Sequence, residues 1–133
     1  MPADPVLDLC RQWWDKAQAD LVAAQRLPDL PFICGFHCQQ AVEKAIKSLL
    51  VLYQIDFARS HDISLLLDLL QNSPTPPEES TAEDLESLTR FAVGTRYPPE
   101  EALPEEAEEA LVLAKRFHEW VALHLPGPPS DES

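Results

Sequence analysis

The side chains here that could ligate a metal, attack an electrophile or hold a phosphate fall in a few short stretches. Cys34, His37 and Cys38 stand at i, i+3 and i+4, which puts three metal-ligating groups on one side of a helix. A structural zinc needs a fourth ligand, and no second CxxC or HxxxH supplies it. Both cysteines also belong to an apolar stripe, so core packing is expected there and no metal. Cys38 can be drawn with His61 and an acid as a nucleophile triad, but a reactive thiol needs an electropositive, accessible setting. With Gly35, Gly94 and Gly127 the only glycines, Walker and Rossmann phosphate loops are excluded.

The cationic groups are more informative. Lys44 and Lys47, with Gln40 and His37, make the one polar stripe that is cationic in an acidic chain. Composition alone favours an ordinary solvated helix face carrying a Glu43–Lys47 pair at i, i+4. Arg59 and His61 flank a helix start, where free N–H groups and the dipole favour anions, although capping is the plainer role. Arg96-Tyr97 lies in a proline-stiffened connection and offers a guanidinium fork for phosphate and a ring for stacking. The plainer alternative pairs Arg96 with a nearby glutamate and uses Tyr97 to anchor the loop.

These residues depend on helices for their placement. Phe32 to Tyr53 is free of proline and divides into two faces at about 100° per residue. Cys34, Cys38, Ala41, Val42, Ala45, Leu49 and Leu52 fall on one side, and His37, Gln40, Glu43, Lys44 and Lys47 on the other. Before it, Asp4-Pro5 reads as an N-cap and first helical residue, and Cys10, Trp14, Ala17, Leu21 and Ala24 recur at helical spacing to Leu27-Pro28. The short turn through Asp29 to Pro31 makes these two helices antiparallel neighbours. Ile63, Leu66, Leu67 and Leu70 predict a third, shorter helix capped by Ser60 or Asp62. Ser80 to Glu83 has the form of a capping box that starts a fourth, with Leu85, Leu88 and Ala92 as its stripe and Gly94 as its stop. A last helix runs from about Pro104 to Leu125 with Ala107, Ala110, Ala114, Phe117, Val121 and Leu125 as its seam. Its acidic first turns and later Lys115, Arg116 and His118 suit the helix dipole.

No stretch alternates with strand period. The expected fold is an all-α, up-and-down bundle of four long helices plus one short helix. Residues 1–125 form one domain in this reading, with 126–133 as a disordered tail. A chain of 133 residues, 45% hydrophobic, can bury its own core. The net charge of −13, from 23 acidic against 10 basic side chains, disfavours unaided binding of long nucleic acid. A small anionic ligand or a basic protein suits it better. The three cysteines suit a reducing compartment, and neither a signal peptide nor a membrane-length apolar run is evident, so a cytoplasmic location is expected.

The wording CGFHCQQAVEKAIKSLLV, then SHDISLLL, then TRYP resembles the HEPN domain family, the "higher eukaryotes and prokaryotes nucleotide-binding" domains. Gln39-Gln40 with Glu43-Lys44 matches its QQ-x-x-EK helix, His61-Asp62-Ile63 its next helix opening, and Arg96-Tyr97-Pro98 its R-Y-P loop. Trp13 or Trp14 and Asp20-Leu21 match its first helix. The resemblance implies a helical homodimer that binds a nucleotide, often beside a minimal nucleotidyltransferase in a toxin–antitoxin-like pair. On that reading Lys44, Lys47, Arg59, His61 and Arg96 hold phosphates, with Gln40 beside them, and Tyr97 stacks on the base. No cofactor is implied. Many members are metal-independent ribonucleases with an Arg-x4–6-His motif. Here one residue separates Arg59 from His61 and Arg116 from His118, while seven separate Arg116 from His124. The missing spacing argues against an enzyme. The alternatives are a divergent ribonuclease pairing Arg96 with His61, and a purely structural bundle.

Overall fold

The computed structural model describes residues 4–92 and 101–127. It contains α1 (Pro5–Arg26), α2 (Pro31–Leu52), α3 (Ile63–Leu70), α4 (Glu79–Glu86) and α5 (Pro104–His124), and no strand among the described residues. Helix α1 begins where Asp4 Oδ1 accepts from the N–H groups of Val6 and Leu7, with Pro5 at the first helical position. The four-residue turn through Leu27 to Leu30 sets α2 antiparallel to it. Asp62, not Ser60, caps α3 through Leu65 N–H, while the Ser60 hydroxyl accepts from Asp62 N–H. Ile63, Leu66, Leu67 and Leu70 are all buried.

The fourth helix differs from its sequence reading. It starts at Glu79 with no side-chain cap, so Ser80 and Glu83 lie inside it and form no capping box. Pro77 disfavours helical backbone at Pro76, Glu78 is still extended, and the helix begins at Glu79. After two turns it tightens into a 3-10 helix over Ser87–Phe91, which still delivers Leu88 and Phe91 to the core. Among the described residues three α-helices are therefore long and two are short. The expected stop at Gly94 lies outside the described residues.

Helix α2 is the centre of the bundle. It packs on α1, α5, α3 and the 3-10 helix, and every residue from Cys38 to Leu50 except Lys44 is buried. Gly35 is the point of closest approach: a Cβ there would stand 2.3 Å from Cδ1 and Cε1 of the Phe91 ring. No described helix is long and apolar enough to cross a membrane.

Candidate functional site

The polar side of α2 is not the solvated face its pattern suggests. Gln39, Gln40, Glu43 and Lys47 are buried, because α1 covers one flank and the link between α2 and α3 covers the other. A helix wheel shows which residues share a side but not how many neighbours surround the helix. Burial is tolerated because each polar group is matched: no buried side-chain nitrogen or oxygen among the described residues lacks a partner.

Two carboxylates organise this side. Asp20, delivered by α1, accepts from Lys44 Nζ at 2.6 Å through one oxygen and meets His37 Nδ1 at 2.9 Å through the other. His37 and Lys44 are two turns apart on α2, so one carboxylate spans both. Beside them runs a groove of about 590 Å³, lined by Gln12, Trp13, Lys16, Asp20, His37 and Lys44 with Leu9, Ala19 and Ala23.

Glu43 organises the second cluster. It is 1% exposed, and its Oε1 stands 2.8 Å from His61 Nδ1. A carboxylate only accepts, so Nδ1 carries the proton and Nε2 is left without a partner among the described residues. The His61 side chain is 67% exposed. Lys47 Nζ lies 4.0 Å from Glu43 Oε2 and over the rings of Trp13 (5.2 Å) and Phe57 (5.9 Å), which supply cation–π attraction where water is excluded. The Gln39 amide donates to the His61 carbonyl, and Gln40 donates to Gln39 Oε1.

On the opposite flank α5 contributes His118. It belongs to the seam with Ala114 and Val121 rather than to a solvated C-terminal charge cluster, and it is buried. Nε2 donates to the Ala41 carbonyl and Nδ1 accepts from the Gln18 amide, each at 2.8 Å. Burial holds this imidazole below its ordinary pKa, against smaller opposing effects of the Ala41 carbonyl and the Asp20 charge. Cys10, Cys34 and Cys38 are in the core, and burial raises all three thiols, Cys38 the furthest. None has the electropositive, open setting of a nucleophile. No group of three or more His, Cys, Asp or Glu side chains that could hold a metal occurs among the described residues.

Of the residues singled out by sequence, Lys44 lines the groove, while Gln40 and Lys47 lie beneath the surface. Arg59 and His61 are exposed on the link before α3. Arg96 and Tyr97 lie outside the described residues. Sequence reasoning did not single out Lys16 for the groove, nor Glu43 as the anchor of His61. The available signal for Asp20 was an acid on α1 opposite two α2 cations, legible only once the hairpin is closed.

A family model for the HEPN domain matches residues 10–124. Among solved structures, the chain is similar to ST0689, an archaeal HEPN homologue, at 24% identity and TM-score 0.72, covering 88% of this chain and 98% of that one. It is also similar to TT1696 from Thermus thermophilus, at 30% identity and TM-score 0.72, covering 87% of this chain and 98% of that one. Among curated proteins none matches. A match running from α1 to the end of α5, joined to the same helical fold, makes this chain a member of the HEPN domain family.

Proposed function

We propose that this HEPN domain protein is a nucleotide-binding module whose ligand lies in the groove between α1 and α2. The observation that carries the reading is the meeting of Lys16, His37 and Lys44 along one groove in a chain of net charge −13. Asp20 already bonds Lys44 and His37, whereas Lys16 makes no ion pair among the described residues. Lys16 and Lys44 meet the phosphates, and the Trp13 indole flanks the base. Gln40 and Lys47 support the wall from beneath. Arg59, Arg96 and Tyr97 are further candidates on the links.

Calorimetric titration with adenosine and guanosine di- and triphosphates tests this reading. Lys16→Ala, an exposed change, raises Kd roughly ten- to a hundredfold, the loss of one charge-assisted hydrogen bond of about 1.5–3 kcal/mol. An unchanged Kd in Lys16→Ala would take the ligand out of the groove, and Arg96→Ala separately tests the Arg96-Tyr97 connection. No saturable binding of any of these nucleotides would overturn the reading. The family resemblance supports a homodimer and a small nucleotidyltransferase as partner. Light scattering and a tagged pull-down test them, with stoichiometric recovery of such an enzyme expected.

A further inference from the structure

Four histidines occur in the chain, and their surroundings divide them sharply. His118 is buried with both ring nitrogens engaged. His124 packs edge-on to Trp120 and forms no ion pair with a carboxylate among the described residues. His37 has a carboxylate at Nδ1, but Asp20 is shared with Lys44 at 2.6 Å, and the His37 side chain is 27% exposed. His61 alone joins an almost fully buried carboxylate at Nδ1 to an open ring: Glu43 is 1% exposed and the His61 side chain 67%. The nearest cation to Glu43 is Lys47, 4.0 Å from Oε2 and beyond hydrogen-bond distance, while Oε1 meets the imidazole at 2.8 Å.

An imidazole whose Nδ1–H is held by a carboxylate carries its lone pair on Nε2, in a fixed direction. That is the arrangement of an activated nitrogen nucleophile, with nucleophile and orienting group within hydrogen-bond reach. Backbone fixation reinforces it, since the buried Gln39 amide grips the His61 carbonyl. Arg59 precedes His61 by two residues on the same exposed link and forms no ion pair among the described residues. It is the cation available to incoming anionic oxygens. The competing acid, Asp62, spends its Oδ1 on capping α3 through Leu65 N–H.

We propose that His61 is a phosphoryl-acceptor site, modified at Nε2 by a donor of the acyl-phosphate class, with Glu43 as its positioning residue. The Nε2 lone pair attacks phosphorus and an N–P bond forms. The P–O bond to the acyl oxygen breaks, and its electron pair leaves with the carboxylate product. No proton has to move: the Nδ1–H remains hydrogen-bonded to Glu43, whose charge balances the cationic phosphoimidazole. The site is separate from the α1–α2 groove and does not rest on nucleotide binding there.

The test treats the intact protein with acetyl phosphate, and in parallel with phosphoramidate, and follows each histidine by peptide mass spectrometry. Attachment at Nε2 or Nδ1 is read by NMR. His61 is expected to react at least about tenfold faster than His124 and His37 in the same molecule, and at Nε2 alone. Equal labelling of His61 and His124, or labelling of His61 at both nitrogens, overturns the proposal without need of a variant. Glu43→Gln, checked for native circular dichroism, is expected to slow labelling of His61 at Nε2 about tenfold, because a carboxamide can turn its NH2 toward Nδ1 and leave the ring proton on Nε2. A merely structural Glu43 would leave the labelling rate of His61 unchanged in the natively folded variant. His61→Gln removes the label.

Discussion

Gly35→Ala is the sharpest test of how the bundle is closed. The added methyl would meet Cδ1 and Cε1 of Phe91 at 2.3 Å and Cγ at 2.7 Å, inside the distance any carbon pair tolerates. The ring cannot swing away, because Phe91 is fully buried. The 3-10 helix that carries it must shift against α2 instead. Overpacking of this kind costs about 1–3 kcal/mol, and three contacts on one rigid ring place it near the upper end. Replacing a helical glycine by alanine returns up to about 1 kcal/mol of helix propensity. The net loss is about 2 kcal/mol, or about 8 °C in Tm for a domain of this size. Urea unfolding followed by circular dichroism measures it. The same substitution in a Phe91→Leu background is expected to be nearly neutral. An equal cost in both backgrounds, or stabilisation by Gly35→Ala alone, would refute the close-approach argument.

Other perturbations probe the polar interior. His118 is held below its ordinary pKa of 6.5, so the unfolded chain takes up the proton first on acidification. Its contribution is complete above that value and is lost as pH falls below it, with a slope of at most about 1.4 kcal/mol per pH unit; His118→Gln flattens the profile between about pH 7.5 and 5.5. The three cysteines are buried with raised thiols, so a disulfide reagent is expected to label none of them in the native protein and all of them in denaturant. Glu43→Gln strands Lys47, only 8% exposed, and is expected to cost about 3 kcal/mol, whereas Asp20→Asn leaves Lys44 and His37 able to reach water and costs no more than about 1 kcal/mol. Equal costs in urea unfolding would contradict that burial ranking.

Features set by neighbours in the chain were legible in the sequence. The Asp4-Pro5 start of α1 and the Ile63, Leu66, Leu67, Leu70 stripe of α3 need only local pattern, and both stand as read. The start of α4 was local too, yet the prolines just upstream of it decide the outcome and override the Ser80–Glu83 pattern. What escaped the sequence depends on distant partners. Glu43 and His61 are 18 residues apart, Lys44 and Asp20 are 24 apart, and Gly35 answers to Phe91 across the whole helix set. His118 read as a dipole-suited charge because Lys115 and Arg116 precede it, whereas its register with Ala114 and Val121 places it in the seam.

The polar side of α2 repeats one construction. Asp20 joins His37 and Lys44, and Glu43 joins His61 and Lys47, so each carboxylate stands between an imidazole and an ammonium. This explains how a chain of charge −13 carries two of its few cations, Lys44 and Lys47, on one helix without presenting a broad basic surface. Lys44 and Lys47 are balanced where they stand, one by direct contact and the other by a longer pairing aided by the Trp13 and Phe57 rings. The two copies differ in how the balance is struck. At Asp20 the ammonium is the closer partner, which leaves His37 as one wall of a groove. At Glu43 the imidazole is the closer partner, and the carboxylate's influence passes outward through His61 to solvent. Relative distance to lysine and histidine thus separates a binding wall from a reactive nitrogen on the same helix. The selective labelling of His61 over His37 follows from that difference.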